Sequence, residues 1–108
     1  MNNINNNSKI LNKVERLVED SKFKEAIDFL TQELEKNENI ELYMKRGDLF
    51  AKTHQHGKAL GDYRKVVKLD ENNVAAKTKI QFTENILSIE NTFYYENPYT
   101  DEKLIPEL

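Results

Sequence analysis

The sequence predicts an all-α fold of five amphipathic helices folded as successive hairpins, and three observations point to it. Apolar residues recur at steps of three and four in five separate runs, the period of one buried helical stripe. Short clusters of Asn, Asp, Ser and Gly separate the runs, and such residues punctuate helices. The pattern also repeats along the chain. Ala26 and Ala59 stand 33 residues apart, and Asn37-Glu38-Asn39 recurs after 34 as Glu71-Asn72-Asn73.

Residues 1–7 are mostly Asn, whose side chain competes for backbone hydrogen bonds, so a disordered lead-in is expected there. Ile10, Leu11, Val14, Leu17 and Val18 then predict a helix near 8–20. Asp20-Ser21-Lys22 breaks that stripe, with Ser21 the expected cap, before Phe23, Ala26, Ile27, Leu30 and Leu34 predict a second helix near 22–36. Ile40, Tyr43, Met44, Gly47, Phe50 and Ala51 predict a third over 40–53. The segment Thr53-His54-Gln55-His56-Gly57 interrupts, and Ala59, Leu60, Tyr63, Val66, Val67 and Leu69 predict a fourth over 57–69. Val74, Ala75, Ile80, Phe82, Ile86, Leu87 and Ile89 predict a fifth over 74–90, ending between Glu90 and Glu96. Pro98 and Pro106 leave 91–108 as an irregular, aromatic tail.

At 108 residues the chain suits one domain, and 38% apolar against 32% charged residues fits an elongated helical array with a modest core. A net charge of −3 with Lys and Glu interspersed offers no face basic enough to neutralise many phosphates, so nucleic acid is not an expected partner. The absence of cysteine removes disulfides, thiolate metal sites and cysteine nucleophiles. Residues 1–7 lack the basic start and apolar run of a leader, and no stretch approaches the length of a membrane span. A soluble cytoplasmic chain without membrane contact is the expectation.

The second unit, with Tyr43, Arg46-Gly47, Phe50, Ala59, Tyr63 and Leu69-Asp70-Glu71-Asn72-Asn73, resembles a tetratricopeptide repeat. Gly47 and Ala59 are small where that repeat brings its helices close, while Arg46 stands for an apolar residue and Glu71 for the usual Pro. The first unit keeps the volume pattern in Ile10, Val14, Leu17, Ala26 and Leu30 without the Gly or the aromatics. The resemblance implies a right-handed solenoid with repeat 1 at 8–39, repeat 2 at 40–73 and a closing helix at 74–90, the last covering the apolar face of a terminal repeat.

Catalytic chemistry is not expected. Gly47, Gly57 and Gly61 are scattered rather than gathered in a phosphate loop, and His54 and His56 are too few to hold zinc. The Glu residues 15, 19, 33 and 35 read as solvated faces. A non-enzymatic chain without cofactor or metal follows, with a protein or peptide as partner. By the resemblance, the first helix of each hairpin lines a concave groove. Its candidates are Leu11, Asn12, Glu15 and Val18, then Glu41, Met44, Lys45, Asp48 and Lys52, then Thr78, Lys79, Phe82 and Ile86. Where family members grip a chaperone's terminal carboxylate, this chain has Leu11, Glu15, Lys45, Ala75 and Lys79; Glu15 would repel a carboxylate and Ala75 cannot bind one. The alternative is a homodimer, because Ile86, Ile89, Phe93, Tyr94, Tyr95 and Tyr99 exceed what two hairpins could cover.

Overall fold

The computed structural model describes residues 2–95. Five helices follow one another: α1 (Asn2–Glu19), α2 (Phe23–Lys36), α3 (Ile40–Lys52), α4 (His56–Leu69) and α5 (Val74–Tyr95), with no strand among the described residues. Each packs on its neighbour in sequence, and α3 also touches α1. The all-α, five-helix expectation holds.

Backbone geometry makes the repeat visible. Ser21 and His54, 33 residues apart, both adopt left-handed conformations, with φ of 59° and 63°. Each closes its hairpin in the same way: Lys22 N–H donates to Leu17 O at 2.8 Å and Ser21 N–H to Val18 O at 2.9 Å, while Gln55 N–H donates to Phe50 O at 2.7 Å and His54 N–H to Ala51 O at 3.0 Å. This paired bonding satisfies carbonyls that a helix end would otherwise orphan. Ser21 is therefore a C-terminal turn residue and not a helix cap; the position before α2 is Lys22, whose side chain makes no capping bond. The junctions repeat as well. Asn39 Oδ1 accepts from Leu42 N–H at 3.2 Å ahead of α3, and 34 residues later Asn73 Oδ1 accepts from Ala76 N–H at 2.9 Å ahead of α5.

Two boundaries differ from expectation. Helix α1 starts at Asn2 rather than near residue 8, so the lead-in is largely helical. Asn is only a weak helix former, a preference that tertiary bonds override. Asn7 supplies them: Asn39 Nδ2 donates to its Oδ1 at 3.2 Å and its Nδ2 donates to Glu41 Oε1 at 3.0 Å. Helix α5 ends at Tyr95, within the expected range between Glu90 and Glu96, so the boundary that moves is that of the tail: residues 91–95, expected to be irregular, are helical.

Val14, Ala26, Leu30 and Val66 are fully buried, with Leu42, Tyr43 and Leu49 nearly so. Leu42 and Leu49 lie off the apolar stripe read for α3; they are buried because α3 sits between α2 and α4 and buries two sides. Conversely, Leu69 and Val74 lie in apolar runs yet are exposed, at the ends of α4 and α5.

Helices α3 and α4 approach closely at Gly47. A Cβ on Gly47 would stand 2.7 Å from Tyr63 Cε1, and Ala59 is fully buried. Beside this contact Arg46, the polar intruder in the repeat pattern, donates from Nε and Nη2 to both oxygens of Asp62 at 2.8 and 2.7 Å, and from Nη1 to Thr31 Oγ1 at 3.0 Å. Its guanidinium also lies against the rings of Tyr43 and Phe50, 5.8 and 5.5 Å from their centroids. One side chain thus ties α2, α3 and α4.

Candidate binding site

The expected groove residues separate into three groups. Leu11, Val18 and Met44 are partly buried and pack on the core, so they serve the fold. Glu15 and Lys45 pair across α1 and α3, Oε2 to Nζ at 2.6 Å, and Glu41 accepts from Asn7. The repulsion expected of Glu15 is thereby matched by its own neighbour, and neither Lys45 nor Glu15 stands as an uncompensated charge. Asn12 and Thr78 are exposed.

The third group converges. Asp48 and Lys52 from α3 meet Lys79, Phe82 and Ile86 from α5 around an open cleft of about 490 Å³, whose remaining lining comes from Ala51, His56, Tyr63 and Thr83. Helix periodicity explains the convergence. On α5, Ala76 and Thr83 lie at a step of seven and are buried, while Lys79, Phe82 and Ile86, at steps of three and four, fall on the adjacent side toward α3. Phe82 is 65% exposed despite its size, and Ile89, one turn beyond Ile86, is 68% exposed. The apolar stripe therefore runs out of the cleft along α5. The side chains of Phe93, Tyr94, Tyr95 and Tyr99, expected to extend it, lie outside the described residues.

At one end of the cleft Asp48 Oδ1 accepts from the Tyr63 hydroxyl at 2.7 Å and from Lys79 Nζ at 2.7 Å. Lys79 also stands 5.7 Å from the Tyr63 ring centroid. Burial pushes the Tyr63 hydroxyl well above the usual phenol range, and the hydrogen bond to Asp48 adds to the shift because an ionised phenol would face a carboxylate. Tyr63 is thus a fixed neutral donor that sets the Asp48 carboxylate, which in turn sets Lys79. Lys52, on the rim, lies 5.6 Å from the Phe23 ring centroid. At the other end His56 Nδ1 is buried without a hydrogen-bond partner.

Sequence reasoning missed Tyr63 and His56 as cleft residues. In the sequence Tyr63 reads as part of the apolar stripe of the fourth helix, where it is indeed buried, and the signal for its second role is the hydroxyl itself, since a buried phenol needs an acceptor. The rings of His54 and His56 stand edge to face with centroids 6.1 Å apart, and no group of three or more potential metal ligands occurs among the described residues. No described helix is long and apolar enough to cross a membrane. Compared with family models, curated proteins and solved structures, the chain finds no match.

Proposed function

We propose that the chain is a non-catalytic interaction module of tetratricopeptide-repeat type, a right-handed array of two hairpins and a closing helix, which receives a peptide or helix from a protein partner in the α3–α5 cleft. The observation that carries the reading is Phe82: a large aromatic side chain left 65% exposed beside Ile86 at the wall of a concave, mostly apolar cleft. Support for the family comes from the duplicated turn at Ser21 and His54 and the duplicated cap at Asn39 and Asn73, spaced by 33 and 34 residues. The close approach of Gly47 to Tyr63 is of the kind the repeat pattern requires.

The cleft suits an aliphatic or aromatic side chain flanked by polar backbone, held between the ring of Phe82 and the Lys79–Asp48 pair. Selection of twelve-residue peptides from a displayed library against the whole chain tests this. Enriched peptides should lose at least tenfold in affinity to Phe82→Glu while the melting midpoint stays unchanged, because that side chain is exposed. Peptides indifferent to Phe82→Glu would refute the assignment of the cleft.

The exposure of Ile89 beyond the cleft favours a second reading, self-association through α5. Light scattering over a hundredfold range of concentration separates the two, since only a dimer dissociates on dilution.

A further inference from the structure

We propose that the α3–α5 cleft receives one amphipathic helix of a protein partner, lying along α5, and that a glutamine or asparagine carboxamide on that helix, held by the Asp48–Lys79 pair, fixes its register. The inference rests on the cleft being a peptide-binding site and adds the shape and chemistry of the occupant. Three observations carry it: the spacing along α5, the closure of the cleft's charges on one another, and a carboxylate oxygen left unused.

Lys79, Phe82, Ile86 and Ile89 follow one another on α5 at steps of three, four and three. That alternation is the seam along which two helices pack side by side, each seam residue seating among those of the facing helix. From Lys79 to Ile89 the seam runs about 15 Å, at about 1.5 Å per residue. A partner helix carries side chains at the same intervals and meets all four positions. An extended strand does not, because its same-face residues recur about every 6.6 Å and four of them span about 20 Å. The three apolar positions are open to a partner: Phe82 and Ile89 are exposed, and Ile86 is half-buried at the cleft wall.

The fourth position supplies the selectivity. Lys79 Nζ and the Tyr63 hydroxyl both donate to Asp48 Oδ1, each at 2.7 Å, and Asp48 Oδ2 has no hydrogen-bond partner among the described residues. Both members of the ion pair are partly exposed. The pair therefore offers one further acceptor, at Oδ2, and further donors, since an ammonium carries three protons. A carboxamide complements both: its N–H donates to Oδ2 and its carbonyl oxygen accepts from Nζ. A carboxylate of the same shape brings no proton for Oδ2 and meets a like charge, and an ammonium meets Lys79 in the same way. Nearby polar groups do not compete, because Thr83 Oγ1 donates back to Lys79 O at 2.6 Å and Lys52 stays on the rim beside the Phe23 ring. One polar position in an otherwise apolar seam is what sets the register of two packed helices.

The probes are synthetic amphipathic helical peptides with leucine at the three apolar positions and glutamine, glutamate or lysine at the fourth, titrated into the whole chain by fluorescence anisotropy. The glutamine peptide should bind at least tenfold more tightly than the glutamate or lysine peptide, and Phe82→Glu should abolish its binding. Asp48→Asn should reverse the order in favour of glutamate, because Lys79 then faces the peptide without its counter-charge, and Lys79→Met should shift it toward lysine. Equal binding of the glutamine and glutamate peptides to the unaltered chain overturns the proposal, and leaves the cleft a peptide site where Phe82→Glu still abolishes both. An order that Asp48→Asn leaves unchanged overturns it as well. So does binding of none of the three, while the library selection still decides the cleft's function. Dimerisation of the whole chain that Phe82→Glu abolishes gives the seam to a second copy and overturns the proposal in turn.

Discussion

Replacing Gly47 by Ala sets two known effects against each other, and the structure decides the sign. An Ala in a helix interior is favoured over Gly by about 0.5–1 kcal/mol because it loses less backbone freedom on folding. At Gly47 the added methyl would sit 2.7 Å from Tyr63 Cε1, 3.0 Å from Tyr63 Cδ1 and 3.2 Å from Asp62 Cβ. None of these atoms yields easily. The Tyr63 ring is 3% exposed and its hydroxyl is held by Asp48, while Asp62 is clamped by Arg46. Overpacking of this kind costs about 1–3 kcal/mol, so a net loss of about 1–2 kcal/mol is expected. In a chain of this size each kcal/mol moves the melting midpoint by roughly 4–8 °C, and the fall should be roughly 4–16 °C. Gly61→Ala is the matched control, since it too lies within a helix but meets nothing within 4 Å, and it should raise the midpoint. Thermal unfolding followed by helical circular dichroism reads both. Equal stabilisation by the two substitutions would refute the close approach of α3 and α4. A third chain, Gly47→Ala with Tyr63→Phe, should lose less than the sum of its parts, because without the hydroxyl the ring is free to shift.

Two further outcomes follow from the polar groups around that contact. Arg46→Met leaves Asp62, 5% exposed, without its bidentate partner and should cost about 3 kcal/mol in urea denaturation, whereas Arg46→Met combined with Asp62→Leu should recover most of it; a double variant as unstable as the single one would show that the pair, and not the stranded carboxylate, matters. Tyr63 is held above its ordinary titration range by burial and by Asp48, so its contribution is complete below about pH 10, where the unfolded phenol begins to ionise, and is lost as pH rises further. Stability measured from pH 8 to 11 should therefore decline more steeply in the unaltered chain than in Tyr63→Phe, and identical slopes would contradict the assignment.

Most of the fold was legible in the sequence because hairpin arrays depend on local signals: apolar periodicity within each helix and polar punctuation between helices. The parts that were not legible turn on nonlocal partners. Asn2–Asn7 read as non-helical by propensity, and the bonds of Asn7 to Asn39 and Glu41 lie more than thirty residues away. Leu42 and Leu49 fell outside a single stripe because the pattern assumes one buried face, and α3 buries two. Arg46 read as a departure from the repeat because its partner Asp62 stands on the next helix, where no periodicity points. Ser21 read as a cap on composition alone, and only its positive φ reveals a left-handed turn.

The candidate site shows the same division, with a consequence for how it works. Asp48, Lys52, Lys79, Phe82 and Ile86 were nominated from the places a helical repeat exposes to its groove, and they do line one cleft. Their nomination could not foresee that Lys79 is already held by Asp48, nor that Glu15 and Lys45 hold each other. The cations a carboxylate would seek are therefore partly matched from within, at 2.6 to 2.7 Å, and both pairs are only partly exposed. Such half-exposed pairs contribute modestly to affinity, as surface ion pairs do, and chiefly fix orientation and register. If the cleft receives a peptide as proposed, the energy of binding comes from apolar area, which leads back to Phe82 and to the stripe it shares with Ile86 and Ile89. On this argument, raising ionic strength should weaken a bound peptide only slightly, whereas removing the Phe82 ring should nearly abolish its binding.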